Sequence, residues 1–239
     1  MLSEVVREIA PVVGVGRRAL RRHPVWTDPG PGDGGGLGVV VVPGFGAADL
    51  AMAPMRTWLD ARGYRSSGAG LGINVGCTAD LVDRLERRVA EHARDTGGPV
   101  VLIGHSRGGW IGRLVAVRRP DLVRAVVMMG GPVLDPLDAR AVVTVACEVL
   151  FRLAPLGLPV LDRDCVGGSC RQLTEAGLTA DLAMPAVAFY SRRDGVVGWE
   201  SCLDPAAEAV EIDCGHNAMG TDPGLLSALA PRLASWVPA

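Results

Sequence analysis

The chain has 239 residues, of which 49% are hydrophobic and 21% charged, and a formal net charge of -2. That length and apolar content suit one large α/β domain with an ample core, and the charge balance is not basic enough to suggest a nucleic-acid binder. No stretch reaches the about 18 uninterrupted apolar residues of a membrane span, and Glu4, Arg7 and Glu8 before a short apolar piece do not make a secretory signal, so a cytoplasmic protein is expected.

Residues 1–36 read as an N-terminal helix and a linker. Over Ser3 to Arg22 the apolar positions Val5, Val6, Ile9, Val12, Val13 and Leu20 have helical spacing, with Glu4 early and four arginines late, as the helix dipole favours. Such a helix packs on the body of the domain or touches lipid through its arginines. Thr27 to Gly38 is rich in Pro, Gly and Asp and lacks periodicity.

Residues 37–239 read as an α/β domain with a mostly parallel central sheet and helices on both faces. Leu37 to Val42 is a continuous apolar strand running into Pro43-Gly44-Phe45-Gly46. A helix is expected from Ala51 to Arg62, its Met52, Met55, Trp58 and Leu59 turned to the core, then a short strand at Tyr64 to Ser67. Gly68 to Gly76 alternates glycines but lacks the G-x-G-x-x-G spacing and a long preceding strand, so it reads as a loop at the edge of a site rather than a nucleotide fingerprint. A helix from about Ala79 to Arg94 follows.

Val100 to Ile103 is an unbroken apolar strand that stops at Gly104-His105-Ser106-Arg107-Gly108, a G-x-S-x-G motif, and a helix begins at once. Strand, glycine-flanked serine and helix together make this motif more than a chance match. The glycines answer to sterics, because so tight a turn leaves no room for side chains beside strand and helix. The serine hydroxyl is pushed out at the top of the sheet, and the Arg107 N–H lies at a helix N-terminus, where donors are unpaired and the dipole favours an anion.

A strand at Val123 to Met129 leads into an insertion at about 133–184, helical from Pro136 to Leu153, which is a natural lid at the carboxyl edge of the sheet. Strands at Pro185 to Tyr190 and Ala209 to Ile212 run into Asp194-Gly195 and Gly215-His216, and Pro223 to Trp236 closes the chain as a helix. Ser106, Asp194 and His216 thus each lie just past a strand end. A serine hydroxyl needs a base within hydrogen-bond reach, and that base needs a group that fixes its tautomer. Asp135 also follows a strand and is the alternative acid. His105 is expected to pack against neighbouring strands, and His23 and His92 to lie at the surface.

From Leu37 to Ala239 the chain resembles the α/β-hydrolase superfamily, in particular its small bacterial lipase and esterase-like members, through Pro43-Gly44-Phe45, the Gly104 to Gly108 elbow, Asp194-Gly195 and Gly215-His216. The resemblance implies Ser106 as nucleophile, His216 as general base, Asp194 as orienting acid, and the backbone N–H groups of Phe45 and Arg107 as an oxyanion hole. Pro43 stands where many relatives have His. Arg107 replaces the usual Met, Gln or Leu, as a guide for an anionic group or a solvated side chain. The implied activity is cofactor-free hydrolysis of an ester or thioester of a small-molecule or lipid-like, apolar acyl substrate. The alternatives are an acyltransferase or cyclase using the same triad, and a non-catalytic binding module.

The six cysteines show no C-x-x-C pair and no Cys/His ligand spacing, so no metal site is expected. Local spacing favours disulfides Cys165–Cys170 and Cys202–Cys214, whereas a reducing compartment favours free thiols.

Overall fold

A computed structural model describes residues 22–27, 34–138 and 141–238, with the side chains of 141–144 and 146 excepted. The helix expected over Ser3 to Arg22, apart from its last residue, and residues 28–33 of the linker lie outside the described residues. A six-stranded sheet organises the rest: β1 (Gly38–Val42), β2 (Arg65–Gly68), β3 (Val100–His105), β4 (Val123–Met129), β5 (Ala186–Tyr190) and β6 (Glu208–Glu211). Every neighbouring pair is parallel, in the order β2-β1-β3-β4-β5-β6.

The alternation of side chains along each strand divides the apolar residues between two cores. Val39, Val41, Val101, Ile103, Val127 and Phe189 face one side, against α1 (Ala53–Asp60) and α6 (Pro223–Ser235) through Met55, Trp58, Leu59, Leu226 and Leu229. Val40, Val42, Leu102, Val126 and Met128 face the other, against α2 (Thr78–Thr96) and α3 (Arg107–Arg118) through Leu81, Leu85, Ile111 and Val115. Strands apolar on both faces are what a parallel sheet covered by helices requires. α4 (Ala141–Leu153) and α5 (Ser169–Thr179) lie in the segment between β4 and β5. Among the described residues no helix is long and apolar enough to cross a membrane.

Helix ends follow local chemistry. Gly97 closes α2 in the left-handed region at φ 80°, donating its N–H to the Ala93 and Arg94 carbonyls. Asp222 opens α6 by accepting the Leu225 N–H at 2.8 Å, with Pro223 just inside. The helix expected from Ala51 begins as a 3-10 turn, Asp49–Met52, and becomes α-helical only at Ala53. The one expected from Pro136 begins at Ala141, since residues around Pro136 form a turn in which Asp135 accepts the Leu137 N–H.

Two polar residues sit deep in the fold. His92 is not a surface residue: it is buried, and its Nε2 pairs with the Arg65 carbonyl at 2.8 Å, binding α2 to β2. Burial holds its pKa below the usual histidine value. Arg113, on the inner face of α3, is fully buried with Asp204, Nε to Oδ2 2.5 Å, and donates to the carbonyls of Gly177 and Ala180 at 2.9 Å each. One guanidinium thus joins α3, the end of α5 and the loop before β6.

The strand order reverses between β1 and β3: the chain leaves β1 to one side for β2 and returns on the other side for β3. In open parallel sheets the crevice at the carboxyl ends beside such a reversal is where ligands bind. The Pro43 to Gly46 loop and the Ser106 turn lie at this crevice.

Candidate active site

Ser106 has φ 53° and ψ -124°, and among the described residues it is the one non-glycine with positive φ. Such a conformation costs about 1–3 kcal/mol and persists where its surroundings enforce it. The surroundings here are backbone. A β-carbon on Gly104 would run into the Gly108 carbonyl, and one on Gly108 would stand 2.5 Å from the Val42 and Pro43 oxygens. The Ser106 N–H is anchored on the Met129 carbonyl at 2.8 Å, fixing the turn to the end of β4.

His216 and Asp194 meet in the loops after β6 and β5. His216 Nδ1 lies 2.6 Å from Asp194 Oδ2, with both side chains buried. The other carboxylate oxygen accepts the N–H groups of Val196 and Val197, each at 2.8 Å. An ionised carboxylate only accepts, so in this pair His216 Nδ1 is the donor. Asp135, by contrast, is exposed and pairs with Arg171.

His105 brings His216 to the elbow. It does not simply pack against strands: its Nε2 pairs with the His216 carbonyl at 2.9 Å, and the two rings stand 4.7 Å apart. Its pKa is pushed down to about 3, first by burial and then by the neighbouring His216, so at neutral pH the ring is uncharged and Nε2–H donates. On the far side of the turn, a β-carbon on Gly44 would come within 3.2 Å of Ser106 Cβ, which places the Phe45 loop against the serine.

That loop is held by residues the sequence reading treated only as a site edge. Asn74 is fully buried. Its Nδ2 donates to the Pro43 carbonyl at 2.8 Å, its N–H to the Ala47 carbonyl at 2.9 Å, and its own carbonyl accepts the Gly46 N–H at 3.0 Å. The Phe45 N–H, between these, meets no backbone or side-chain acceptor among the described residues. The Arg107 N–H occupies the first position of α3, where an amide has no acceptor within the helix. Asn74 was detectable as a lone amide within a glycine-rich loop, but its partners were not.

The Arg107 side chain is not solvated. It is 8% exposed and lies between the Phe45 and Trp110 rings, 5.8 and 5.7 Å from their centroids. It donates to the Gly76 carbonyl at 2.8 Å and to Thr78 Oγ1 at 3.2 Å, clamping the glycine-rich loop. Burial lowers its pKa to about 10, which leaves it charged at neutral pH. The side chain unusual for this position is therefore a brace. Neither expected disulfide is formed: all six cysteines are free. Cys170 Sγ instead faces Cys77 Sγ at 3.9 Å, nearly twice the length of an S–S bond.

A family model described as alpha/beta hydrolase fold matches residues 57–144, a span that holds the elbow and stops short of Asp194 and His216. No curated protein matches the chain in sequence. Solved structures with similar architecture include a monoacylglycerol lipase of Paleococcus ferrophilus, 18% identical, TM-score 0.59, over 83% of this chain and 94% of that one. An α/β-hydrolase enzyme from the metagenome of lagoon sediments at Mar Chica, Morocco, is 22% identical, TM-score 0.61, over 82% and 90%. The thioesterase domain of the curacin biosynthetic pathway is 15% identical, TM-score 0.54, over 85% and 93%. At these identities the likeness is one of fold. The chain has the α/β-hydrolase fold, which it shares with these structures.

Proposed function

We propose that the protein is a serine hydrolase that cleaves a carboxylic ester or thioester through an acyl-enzyme on Ser106, without a cofactor. The observation that carries this reading is the buried His216–Asp194 pair at 2.6 Å, next to a serine in the strained strand-to-helix turn. In this reading the His216 Nε2 lone pair takes the Ser106 proton as Oγ attacks the acyl carbon. The oxyanion turns toward the Phe45 and Arg107 amides, each worth about 3 kcal/mol in the transition state. His216 then returns the proton to the departing alcohol or thiol, and water repeats the sequence to free the acid. Asp194 stays ionised, holding the imidazole tautomer and stabilising the imidazolium.

The insertion at 133–184 serves as a lid for an apolar acyl group. Support comes from its exposed Leu134, Leu137, Val145, Val149 and Leu173, and from Leu161 N–H donating to the Val75 carbonyl of the loop beside the site. Turnover of p-nitrophenyl acyl esters by wild type and Ser106→Ala tests the reading: activity is expected to vanish in the variant. Full retention overturns it, as does failure of a fluorophosphonate to label Ser106.

A further inference from the structure

The cysteines have no ligand spacing along the chain, yet the fold gathers three of them. Cys77 directly precedes α2, Cys165 sits in the helical turn Asp164–Gly167, and Cys170 lies in the first turn of α5. Their three sulfurs all lie within 4.8 Å of one another, and the Cys77 and Cys170 sulfurs are 3.9 Å apart. Three thiolates bound at about 2.3 Å to one zinc-like ion stand about 3.8–4.0 Å from each other. The free chain already holds its sulfurs close to that spacing.

Cys77 stands at the N-terminus of α2, where the helix dipole favours a thiolate. The backbones that present the ligands are fixed: Asp162 Oδ1 accepts the Cys165 N–H at 3.2 Å and Asp164 Oδ2 the Cys170 N–H at 3.0 Å. The Arg107 guanidinium, bound to Gly76 and Thr78 on either side of Cys77, offsets the negative charge of the cluster. Cys77 and Cys165 are only partly buried, so an ion has a route in. Among the described residues no further His, Cys, Asp or Glu joins the group, which leaves a coordination position for an exogenous ligand.

We propose that Cys77, Cys165 and Cys170 form a binding site for a thiophilic closed-shell metal ion, Zn2+ or Cu+, that fastens the insertion between β4 and β5 to the loop bracing the Phe45 turn. Soft sulfur ligands select these ions over Mg2+ or Ca2+.

The test takes the full chain, reduced and stripped with a chelator. It is titrated with Zn2+ against a chromophoric chelator and, under anaerobic conditions, with Cu+ against a Cu+ chelator, which separates the two ions. Co2+ serves as the spectroscopic probe. One equivalent with a thiolate-to-metal charge-transfer band is expected. Cys77→Ser and Cys165→Ser should weaken it at least on the order of 100-fold, the loss already typical of removing outer-shell partners, and Cys202→Ser should not. Should the variants fail to fold, alkylation of wild type decides: the ion must shield Cys77, Cys165 and Cys170 and leave Cys147 reactive. Absence of uptake by wild type, equal uptake by Cys165→Ser, or shielding of other cysteines overturns the proposal. So does a Cys77–Cys170 disulfide in protein whose reduced form takes up no ion.

Discussion

The Nε2–H of His105 donates to the backbone carbonyl of His216 across 2.9 Å. The residue before the candidate nucleophile therefore holds the backbone of the candidate base. A folded pKa of about 3 against an unfolded value of about 6.5 means that the unfolded chain binds the extra proton between those limits. The stability this histidine contributes is full above about pH 6.5 and declines as pH falls toward 3, by up to about 1.4 kcal/mol per unit. Urea denaturation of wild type and His105→Gln between pH 7.5 and pH 4.5 is expected to show a shallower pH slope in the variant. Equal slopes rule the effect out.

Asp194→Asn keeps the shape of the His216 pair but offers an N–H where a carboxylate accepted. The imidazole then settles in the wrong tautomer. If the proposed mechanism holds, kcat falls on the order of 10^4-fold while substrate binding changes little. Steady-state ester hydrolysis measures this, and a loss of tenfold or less argues against Asp194 as the orienting acid.

Asn74→Ala removes the donor that holds the Pro43 carbonyl at 2.8 Å, next to the Phe45 amide. The buried Asn74 Oδ1 has no hydrogen-bond partner among the described residues, so little else is lost with the side chain. About 1 kcal/mol of stability should go with one net hydrogen bond. Loosening of the candidate oxyanion loop should appear as a drop of about tenfold in kcat with KM nearly constant. A change confined to KM points to a different role for this loop.

The Arg113–Asp204 pair lies away from the candidate site and tests stability alone. Asp204→Ala leaves a buried guanidinium without its counter-charge and should cost about 3–5 kcal/mol in chemical denaturation. Replacing both residues by apolar ones of similar volume should recover much of that loss. A change below about 1 kcal/mol for Asp204→Ala shows that water reaches the arginine.

What could be read in the sequence is what depends on neighbours along the chain. The apolar runs Leu37 to Val42, Val100 to Ile103 and Val123 to Met129 are two-sided strands because a parallel sheet covered by helices buries both faces. Gly104 and Gly108 mark the elbow because a turn that tight excludes a β-carbon, and the structure places backbone where those carbons would be. Asp194 and His216 stood out because each follows a strand end, and the structure brings these two together. The N-terminal helix boundaries near Ala51 and Pro136 were misread because a 3-10 start and an Asx-type turn share their composition with the first turn of an α-helix.

Only the tertiary structure decided which polar groups meet across the chain. Asn74 reaches Pro43 over 31 positions, Arg113 reaches Asp204 over 91, Cys77 faces Cys170 over 93 and His105 meets His216 over 111. Residue type and local period say that such groups need partners when buried; they do not say which. Arg107 shows the difference most plainly. Its position was fixed by the motif, but its side chain turned inward as a brace because the Asn74 to Thr78 loop, folded back over α3, presented carbonyls that only the assembled sheet brings within reach.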